Sequence, residues 1–164
     1  MRFNVAGTCT IIASVEANAE YEAAMRALLE RARAAGVTQM AFGDLFLDDI
    51  RAYRERQLAD TGLAPIFPLW QRPTRALAAE MIAGGVEAVL TCVDPRALSP
   101  RFAGRAFDDD LLTDLPSGVD PCGERGEFHT FVHAGPMFTA PVPIAVGEIV
   151  ERDDFVFADL LDRA

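Results

Sequence analysis

The sequence predicts an α/β fold in which a parallel sheet with helices is followed by a smaller β-rich portion. Short apolar runs alternate with helical periodicity over residues 3–93, which is typical of a parallel sheet with helical crossovers. The run 86–93 is apolar on both faces except at Glu87 and Thr91, as in a buried strand. After Asp94 the pattern changes to loops and β-branched runs. We therefore expect a first portion over residues 1–95 and a second over 96–164, in one compact unit.

The elements of the first portion begin with a strand over 3–15, where β-branched and apolar residues dominate. Asn18 can cap a helix over 19–35 that ends before a glycine. A short apolar strand over 39–42 follows. Asp44 can then cap a second helix over 45–59, whose first turn carries acids that the helix dipole favours.

The next elements start with an extended segment over 64–69 that two prolines interrupt. Pro73 suits the first position of a helix, because its nitrogen carries no proton to satisfy there. That helix is expected over 73–83, before the strand 86–93. The remaining predicted elements are a short helix near 107–114 and strands near 128–133, 142–150 and 155–158.

Composition excludes several kinds of chemistry. The sequence contains no lysine, so all fifteen basic residues are arginine. A Walker A loop, a pyridoxal Schiff base and a lysine nucleophile are therefore excluded. The net charge of −10 argues against general affinity for nucleic acid, and no apolar run is long enough to cross a bilayer. The three widely spaced cysteines indicate a reducing, cytoplasmic environment.

A glycine-framed acidic segment, Gly123-Glu124-Arg125-Gly126-Glu127, is the most distinctive feature of the chain. An aromatic and β-branched run follows it. Glycine permits backbone conformations that other residues resist, and loops at strand ends often carry binding groups. Two interpretations stay open: a solvated turn that leads into a hairpin, or a loop that meets a ligand.

Other polar groups follow predicted strands, where ligands bind in parallel sheets. They are Asp44, the segment 70–72 and Asp94. On its own, an aspartate such as Asp44 is more often a helix cap than a catalytic acid. Arg51 and Arg54, three residues apart in a charged helix, suit either a grip on a phosphate or carboxylate, or ordinary surface pairing.

A metal site is not expected. His129 and His133 lie four residues apart in a predicted strand, which separates them by roughly 13 Å at about 3.3 Å per residue. They therefore cannot share one ion. A nucleophilic pair of Cys122 with His129 is one alternative, and a buried inert thiol is the other. No serine lies in a G-x-S-x-G elbow.

Three blocks in this order resemble the diphthine–ammonia ligase-like proteins, ATP pyrophosphatases of the adenine nucleotide alpha hydrolase superfamily. The blocks are GDLFLDDIRAYRERQLADTGLAPIFPLW (43–70), VDPRALSPRFAGRAFD (93–108) and LPSGVDPCGERGEFHTFVHAGPMF (115–138). The resemblance implies a partial Rossmann-like, HUP-type parallel sheet followed by a substrate portion. It also implies ATP and Mg²⁺ as cofactors, adenylation of a carboxylate, and ammonia or an amine as the acceptor.

The resemblance also implies roles for individual residues. Glu124 and Glu127 would orient the amine or act as base, and His129 would carry a proton. The substrate-binding residues carried over from the family are Asp44, Arg51, Arg54, Asp94, Gly123, Gly126 and Thr130.

Two departures from the family pattern shape the functional hypothesis. The family's SGGKDS-type phosphate loop is absent, and the segment that usually reads GEGGE(F/Y)ET here reads GERGEFHT, a variant associated with bacterial relatives. We therefore expect a ligase form that lacks the ATP phosphate loop and is not competent alone. The alternative is a non-catalytic binding or interaction module. Apolar surface near the first strand predicts self-association.

Overall fold

The computed structural model describes the backbone of residues 18–163 and the side chains of residues 22–163. The predicted strand over 3–15 lies outside the described residues. The chain divides into two compact units, Met1–Pro68 and Leu69–Ala164. The sequence had suggested a division after residue 95. The two units are described in turn.

The first unit contains a small parallel sheet with helices, as predicted. Strands β1 (Gln39–Ala41) and β2 (Ala64–Ile66) pair in parallel, with Met40 opposite Pro65. The helices are α1 (Asn18–Ala34) and α2 (Asp48–Leu58). Burial of apolar side chains holds these short elements together. The core residues of this unit are Leu29, Phe42, Leu58 and Leu63.

The predicted cap of α2 is wrong. The helix begins at Asp48, its N-cap position is Leu47, and no side chain caps it. Leu45 is buried, so the residues after Asp44 run in a non-helical conformation that places an apolar side chain inside. The predicted acids of the first turn, Asp48 and Asp49, are confirmed. They lie where the positive end of the helix dipole favours them.

The second unit is built on a four-stranded antiparallel sheet with the strand order β4-β3-β6-β5. Its helices are α3 (Thr74–Ala83) and the short α4 (Asp109–Asp114), which Asp108 caps through its side chain. A 3₁₀ turn lies at Pro100–Phe102. The strands are β3 (Glu87–Val93), β4 (Phe128–Ala134), β5 (Ile144–Arg152) and β6 (Phe155–Asp162).

The assignment of 86–93 to the parallel sheet is a further correction. This strand is β3, and it pairs antiparallel with both β4 and β6. A central antiparallel strand that is buried on both faces shows the same continuous apolar run as a parallel strand. Periodicity reports burial and not strand direction, so the partners of β3 could not be inferred from it.

The core of the second unit lies on one face of this sheet, against α3 and α4. Its most deeply buried members come from β3, from the segment that follows it and from α4: Leu90, Val93, Leu98, Phe102 and Leu111. Phe128, the first residue of β4, belongs to the same core. The loop that precedes β4 is thereby anchored on a rigid base. Among the described residues, no helix is both long and apolar enough to span a membrane.

Candidate functional site

The acidic loop predicted from the sequence forms two consecutive turns before β4. The Gly123 N–H donates to the carbonyl of Asp120 at 2.9 Å, and the Gly126 N–H donates to the carbonyl of Gly123 at 3.0 Å. Both glycines have positive φ, +66° and +82°, a region that residues with a Cβ atom occupy at a cost. At Gly123 a Cβ would also lie 2.7 Å from the Phe128 carbonyl oxygen. Glycine at this position therefore allows the loop to lie directly against β4.

Glu127 is directed into this loop, and only 5% of the residue is exposed. Its Oε1 accepts from the Asp120 N–H and its Oε2 from the Arg125 N–H, both at 3.0 Å. A buried carboxylate needs such partners, because an unpaired charge is costly away from water. Both oxygens of Glu127 therefore help to hold the loop.

Asp120 braces the same loop from the other side. It is also 5% exposed, and its Oδ2 accepts from the Glu124 N–H at 3.0 Å. Sequence analysis did not single out this residue. The signal was available in retrospect, since aspartate three residues before a glycine turn commonly bonds to nearby backbone. Two buried carboxylates thus occupy the inside of the loop.

The loop does not fit the phosphates of a nucleotide. Glycine loops that bind phosphate do so through backbone N–H groups that point at the anion. Here the N–H groups of Asp120, Glu124 and Arg125 already donate to carboxylates of the loop itself. Those carboxylates would also repel an incoming anion.

Asp94 lies beside this loop at the carboxyl end of β3. Its N–H donates to the Glu127 carbonyl at 2.9 Å. Its carboxylate accepts from Arg96 in a bidentate pair, Nε to Oδ1 at 2.8 Å and Nη2 to Oδ2 at 2.9 Å. These hydrogen bonds hold the pKa of Asp94 below its ordinary value. Asp94 therefore stays ionised and positions Arg96.

Arg96 and Phe155 are site neighbours that the sequence did not reveal. The guanidinium carbon of Arg96 lies 5.4 Å from the centre of the Phe155 ring. Phe155 opens β6 directly after a tight turn at Asp153 and Asp154, both of which have positive φ. Asp94 and Asp154 both raise the pKa of Arg96. Only the antiparallel pairing of β3 with β6 brings these residues together, so no local sequence pattern could have indicated the contact.

His129 lies in an open cleft on the sheet face of the second unit. The cleft has a volume of about 590 Å³, and its lining includes Cys92, His129, Arg152, Phe155, Phe157 and Asp159. His129, Cys92 and Phe157 are register partners across β4, β3 and β6. Arg152 Nη2 pairs with Asp159 Oδ1 at 2.6 Å. The exposed imidazole thus faces a space that contains both aromatic and charged groups.

The cysteines favour the inert-thiol interpretation. Cys122 Sγ donates to the Thr74 carbonyl at 3.4 Å. Burial, together with the charges of Asp120 and Glu124, raises the pKa of Cys122 to about 11. A thiol with this pKa is almost entirely protonated near neutral pH, which disfavours nucleophilic chemistry. The cross-strand partner of His129 is Cys92, whose pKa burial also raises.

The other predicted residues of the second unit lie around the same loop and strand. Glu124 is half-buried at the loop's tip, next to the exposed Arg125. Thr130 is exposed on β4 and pairs with Leu90. In the second unit, Asp94 bonds to Glu127 directly before β4. His129 and Thr130 are successive residues of that strand, so their side chains lie on opposite faces of the sheet.

Asp44, Arg51 and Arg54 belong to the first unit. Arg51 Nε pairs with Glu55 Oε1 at 2.9 Å, and its guanidinium carbon lies 4.8 Å from the Phe67 ring centre. Arg54 lies 5.2 Å from the Phe42 ring centre. These contacts match the alternative of surface pairing and packing. Asp44 Oδ2 is buried without a hydrogen-bond partner among the described residues.

The geometry of the histidines and acids offers no metal cluster in the part of the chain that is described. His129 and His133 both lie on β4, which is a strand as predicted. No three His, Cys, Asp or Glu side chains of residues 22–163 come together in a way that could hold an ion. The arrangement is instead one of hydrogen-bonded carboxylates, an exposed imidazole and paired arginines.

Comparison with known proteins identifies the family. The family model of the diphthamide synthase C-terminal domain matches residues 73–160, so the chain belongs to that family. A diphthine–ammonia ligase of Danio rerio is 33% identical over 127 residues, which cover 74% of this chain and 50% of the relative. The human diphthine–ammonia ligase is 30% identical over 74% of this chain and 48% of its own length.

A diphthine–ammonia ligase of Schizosaccharomyces pombe is 32% identical over 95 residues, which are 56% of this chain and 16% of that protein. The chain thus spans about half the length of the vertebrate relatives, and less of the yeast one. The matched family region, 73–160, contains α3, the acidic loop and the antiparallel sheet nearly to its end.

Proposed function

We propose that this chain acts on the substrate side of an ATP-dependent, amide-forming ligase of the diphthine–ammonia ligase-like family. In that reaction a carboxylate is adenylated with release of pyrophosphate, and ammonia or an amine then displaces AMP. The observation that carries the proposal is the joining of Asp94 and Arg96 to the Glu127-braced loop, beside the cleft that contains His129. The cytoplasmic location remains part of this proposal, on the cysteine usage alone.

Each of the candidate residues of the second unit has a separate role in this proposal. Glu124 is half-buried at the tip of the loop, where it orients an amine or accepts its proton. The imidazole of His129, exposed in the cleft, is the candidate proton carrier. Arg96 supplies the positive charge that a carboxylate substrate needs. Glu127, Gly123 and Gly126 act indirectly, because they maintain the loop that places Glu124.

Nucleotide binding is not assigned to this chain. The backbone N–H groups of the acidic loop are committed internally, and the sequence has no lysine. Isothermal titration with ATP–Mg²⁺ and with AMP is therefore expected to show no binding. Clean binding of either by this chain alone would overturn this part of the proposal.

Substrate binding by the second unit is tested with small carboxylic acids and their matched amides. Titrations followed by ¹H–¹⁵N NMR are expected to shift the amide signals of the acidic loop and of β4 with an acid, and less with its amide. Replacing Arg96 by alanine should weaken that response. Equal responses to acids and amides, or shifts confined to other elements, would contradict the assignment.

A second candidate function is a non-catalytic binding module of the same family. The burial of Glu127 and the use of both its oxygens by the loop favour it, because that carboxylate is withdrawn from chemistry. A neighbouring reading frame that encodes an SGGKDS segment would favour the ligase. Pyrophosphate release that requires this chain, the protein encoded by that neighbouring frame, and ammonia would establish the ligase function.

A further inference from the structure

We propose that a second copy of this chain pairs with the first along β5, antiparallel and with the two-fold axis at Val150. The two four-stranded sheets would then form one continuous sheet across the dimer. This inference concerns assembly and does not depend on the proposed ligase function. It differs from the self-association predicted near the first strand, because it uses the opposite end of the chain.

The outer side of β5 is available for pairing. In the described part of the chain, β5 is the last strand of the sheet and pairs only with β6. It spans nine residues, Ile144–Arg152. An edge strand of this length presents a row of backbone N–H and C=O groups that can bond to another strand. This edge carries a register irregularity between Val146 and Ile149 and the charged residues Glu148, Glu151 and Arg152, features that usually discourage pairing. A second copy therefore fits this edge because of how those charges pair across a two-fold axis, and not because the edge is bare.

The charges of β5 are self-complementary about Val150. In an antiparallel pair centred on that residue, Glu148 of one copy lies opposite Arg152 of the other, and the two-fold axis repeats the pair. Both residues are exposed. Opposite charges directly across a strand pair stabilise it, whereas like charges oppose it. Moving the two-fold axis by one residue, to Ile149, would place Glu148 opposite Val150, and moving it by two would place Glu148 opposite Glu148. The charges therefore favour the axis at Val150.

Apolar side chains also lie along this edge. Val146 is 44% and Ile149 is 49% exposed. A Cβ added at Gly104 would lie 2.8 Å from Val146 Cγ1 and 3.3 Å from Ile149 Cδ1, which places the two side chains together beside that glycine. Pairing of β5 with its copy would remove part of this apolar surface from water, which is favourable.

The opposite edge of the sheet, β4, is less available. The Val142 N–H donates to the His133 carbonyl at 2.7 Å, so the segment before β5 already bonds to this strand. β4 also carries His129 and Thr130 of the candidate site. The available edge with self-complementary charge is therefore β5, and a second copy of the chain is the partner that fits it.

An interface made mainly by one strand from each copy is small. Specific interfaces below about 1,200 Å² in total belong to weak or transient complexes. We therefore expect a monomer–dimer equilibrium that depends on protein concentration, and sedimentation equilibrium over a wide concentration range measures it. A strict monomer up to 500 μM would overturn the proposal.

Charge exchange tests the register. The single variants Glu148→Arg and Arg152→Glu should each weaken dimerisation at least tenfold, because each places like charges opposite one another. The double variant E148R/R152E restores opposite charges and should return to within about threefold of the original dissociation constant. Unchanged dimerisation in both single variants, or no recovery in the double variant, would contradict the pairing.

A matched control separates the interface from the fold. Arg152 also pairs with Asp159 on β6, so Arg152→Glu disturbs an internal contact as well. Asp159→Asn removes that contact without changing β5, and it should leave the dissociation constant unchanged. If it weakened dimerisation as much as Arg152→Glu does, the effect would be internal and the proposal would fail.

A disulfide test does not depend on the charges. Residues directly opposite each other in an antiparallel pair have Cα atoms about 4.5–5.5 Å apart, which a disulfide can bridge. Mild oxidation of Val150→Cys should therefore yield a covalent dimer. Glu148→Cys is the control, because its copies would lie roughly 13 Å apart at about 3.3 Å per residue. Equal crosslinking of the two variants, or none in Val150→Cys, would exclude this register.

Discussion

The backbone N–H of Asp120 donates to Oε1 of Glu127 at 3.0 Å, and both residues are buried. This hydrogen bond closes the acidic loop from within. The second oxygen of Glu127 accepts from the Arg125 N–H, so a single carboxylate holds two points of the loop. Hydrogen bonds from the backbone to this one side chain therefore help to fix the shape of the loop.

Replacing Glu127 by glutamine should destabilise the protein. The NH₂ group of glutamine would face one of the two backbone N–H groups, so that hydrogen bond would be lost. The other hydrogen bond would have a neutral acceptor instead of a carboxylate. The expected loss is about 1–3 kcal/mol in the free energy of unfolding, measured by urea denaturation. Glu124→Gln is the control, because Glu124 is half-exposed, and its loss should stay below about 0.5 kcal/mol. A larger loss for Glu124→Gln would contradict the bracing role of Glu127.

The two loop glycines should respond differently to alanine. Both have positive φ. A Cβ at Gly123 would lie 2.7 Å from the Phe128 carbonyl oxygen, whereas a Cβ at Gly126 would have no atom within 4 Å. Gly126→Ala should therefore cost about 1 kcal/mol of backbone strain. Gly123→Ala adds a steric clash of about 1–3 kcal/mol. Thermal unfolding of the two variants compares the losses, and equal shifts would show that the loop does not pack against β4.

Cys122 should resist alkylation. Its pKa is raised from 9.0 to about 11, so at pH 8 roughly one thiol in a thousand is ionised. Incubation of the folded protein with iodoacetamide at pH 8, followed by mass spectrometry, should leave Cys122 unmodified. The unfolded protein should react fully, and rapid modification in the folded state would contradict the buried environment.

The same thiol should make stability depend on alkaline pH. Because its folded-state pKa lies above the unfolded value, the protonated thiol contributes stability that is complete below pH 9 and is lost as the pH rises towards 11. Cys122→Ala should reduce that loss. Parallel urea titrations of both proteins at pH 8 and pH 10.5 measure the difference. An identical pH dependence would show that another group is responsible.

Arg96 should control the ionisation of Asp94. The hydrogen bonds from Arg96 lower the pKa of Asp94 below its ordinary value of 3.8. The pair therefore contributes stability above that value, and the contribution is lost as the pH falls through the folded-state pKa. Arg96→Lys keeps the positive charge but loses the bidentate geometry. The pKa of Asp94, followed by carboxyl NMR, should rise in this variant, and an unchanged value would show that charge alone sets it.

The sequence predicted those features that depend on local pattern. The helix α3 and the strands β3 and β4 follow from periodicity, and the glycine-framed glutamates located the acidic loop. The sequence could not predict which residues that are distant along the chain come into contact. The apolar run of β3 does not indicate whether its neighbouring strands are parallel or antiparallel. Phe155 is brought to Arg96 only by the pairing of β3 with β6. Asp44 is not the cap of α2, because that helix begins four residues later, at Asp48.

Glu127 shows the same limit within the candidate site. Its position between a glycine and an aromatic strand is equally typical of an active acid and of a structural one. Only its burial and the two backbone donors distinguish these interpretations. Neither property can be inferred from the residue types of the segment, because both depend on how the loop turns back over its own side chain.

The bidentate pair of Asp94 and Arg96 connects three segments that are far apart in the sequence. Asp94 bonds to the backbone of Glu127, and Arg96 lies over the ring of Phe155. We therefore expect a displacement of the acidic loop to change the surroundings of the Phe155 ring at the tip of the β5–β6 hairpin. The ring protons of Phe155 thus provide a spectroscopic reporter of events at the loop, readable without a label at the loop itself.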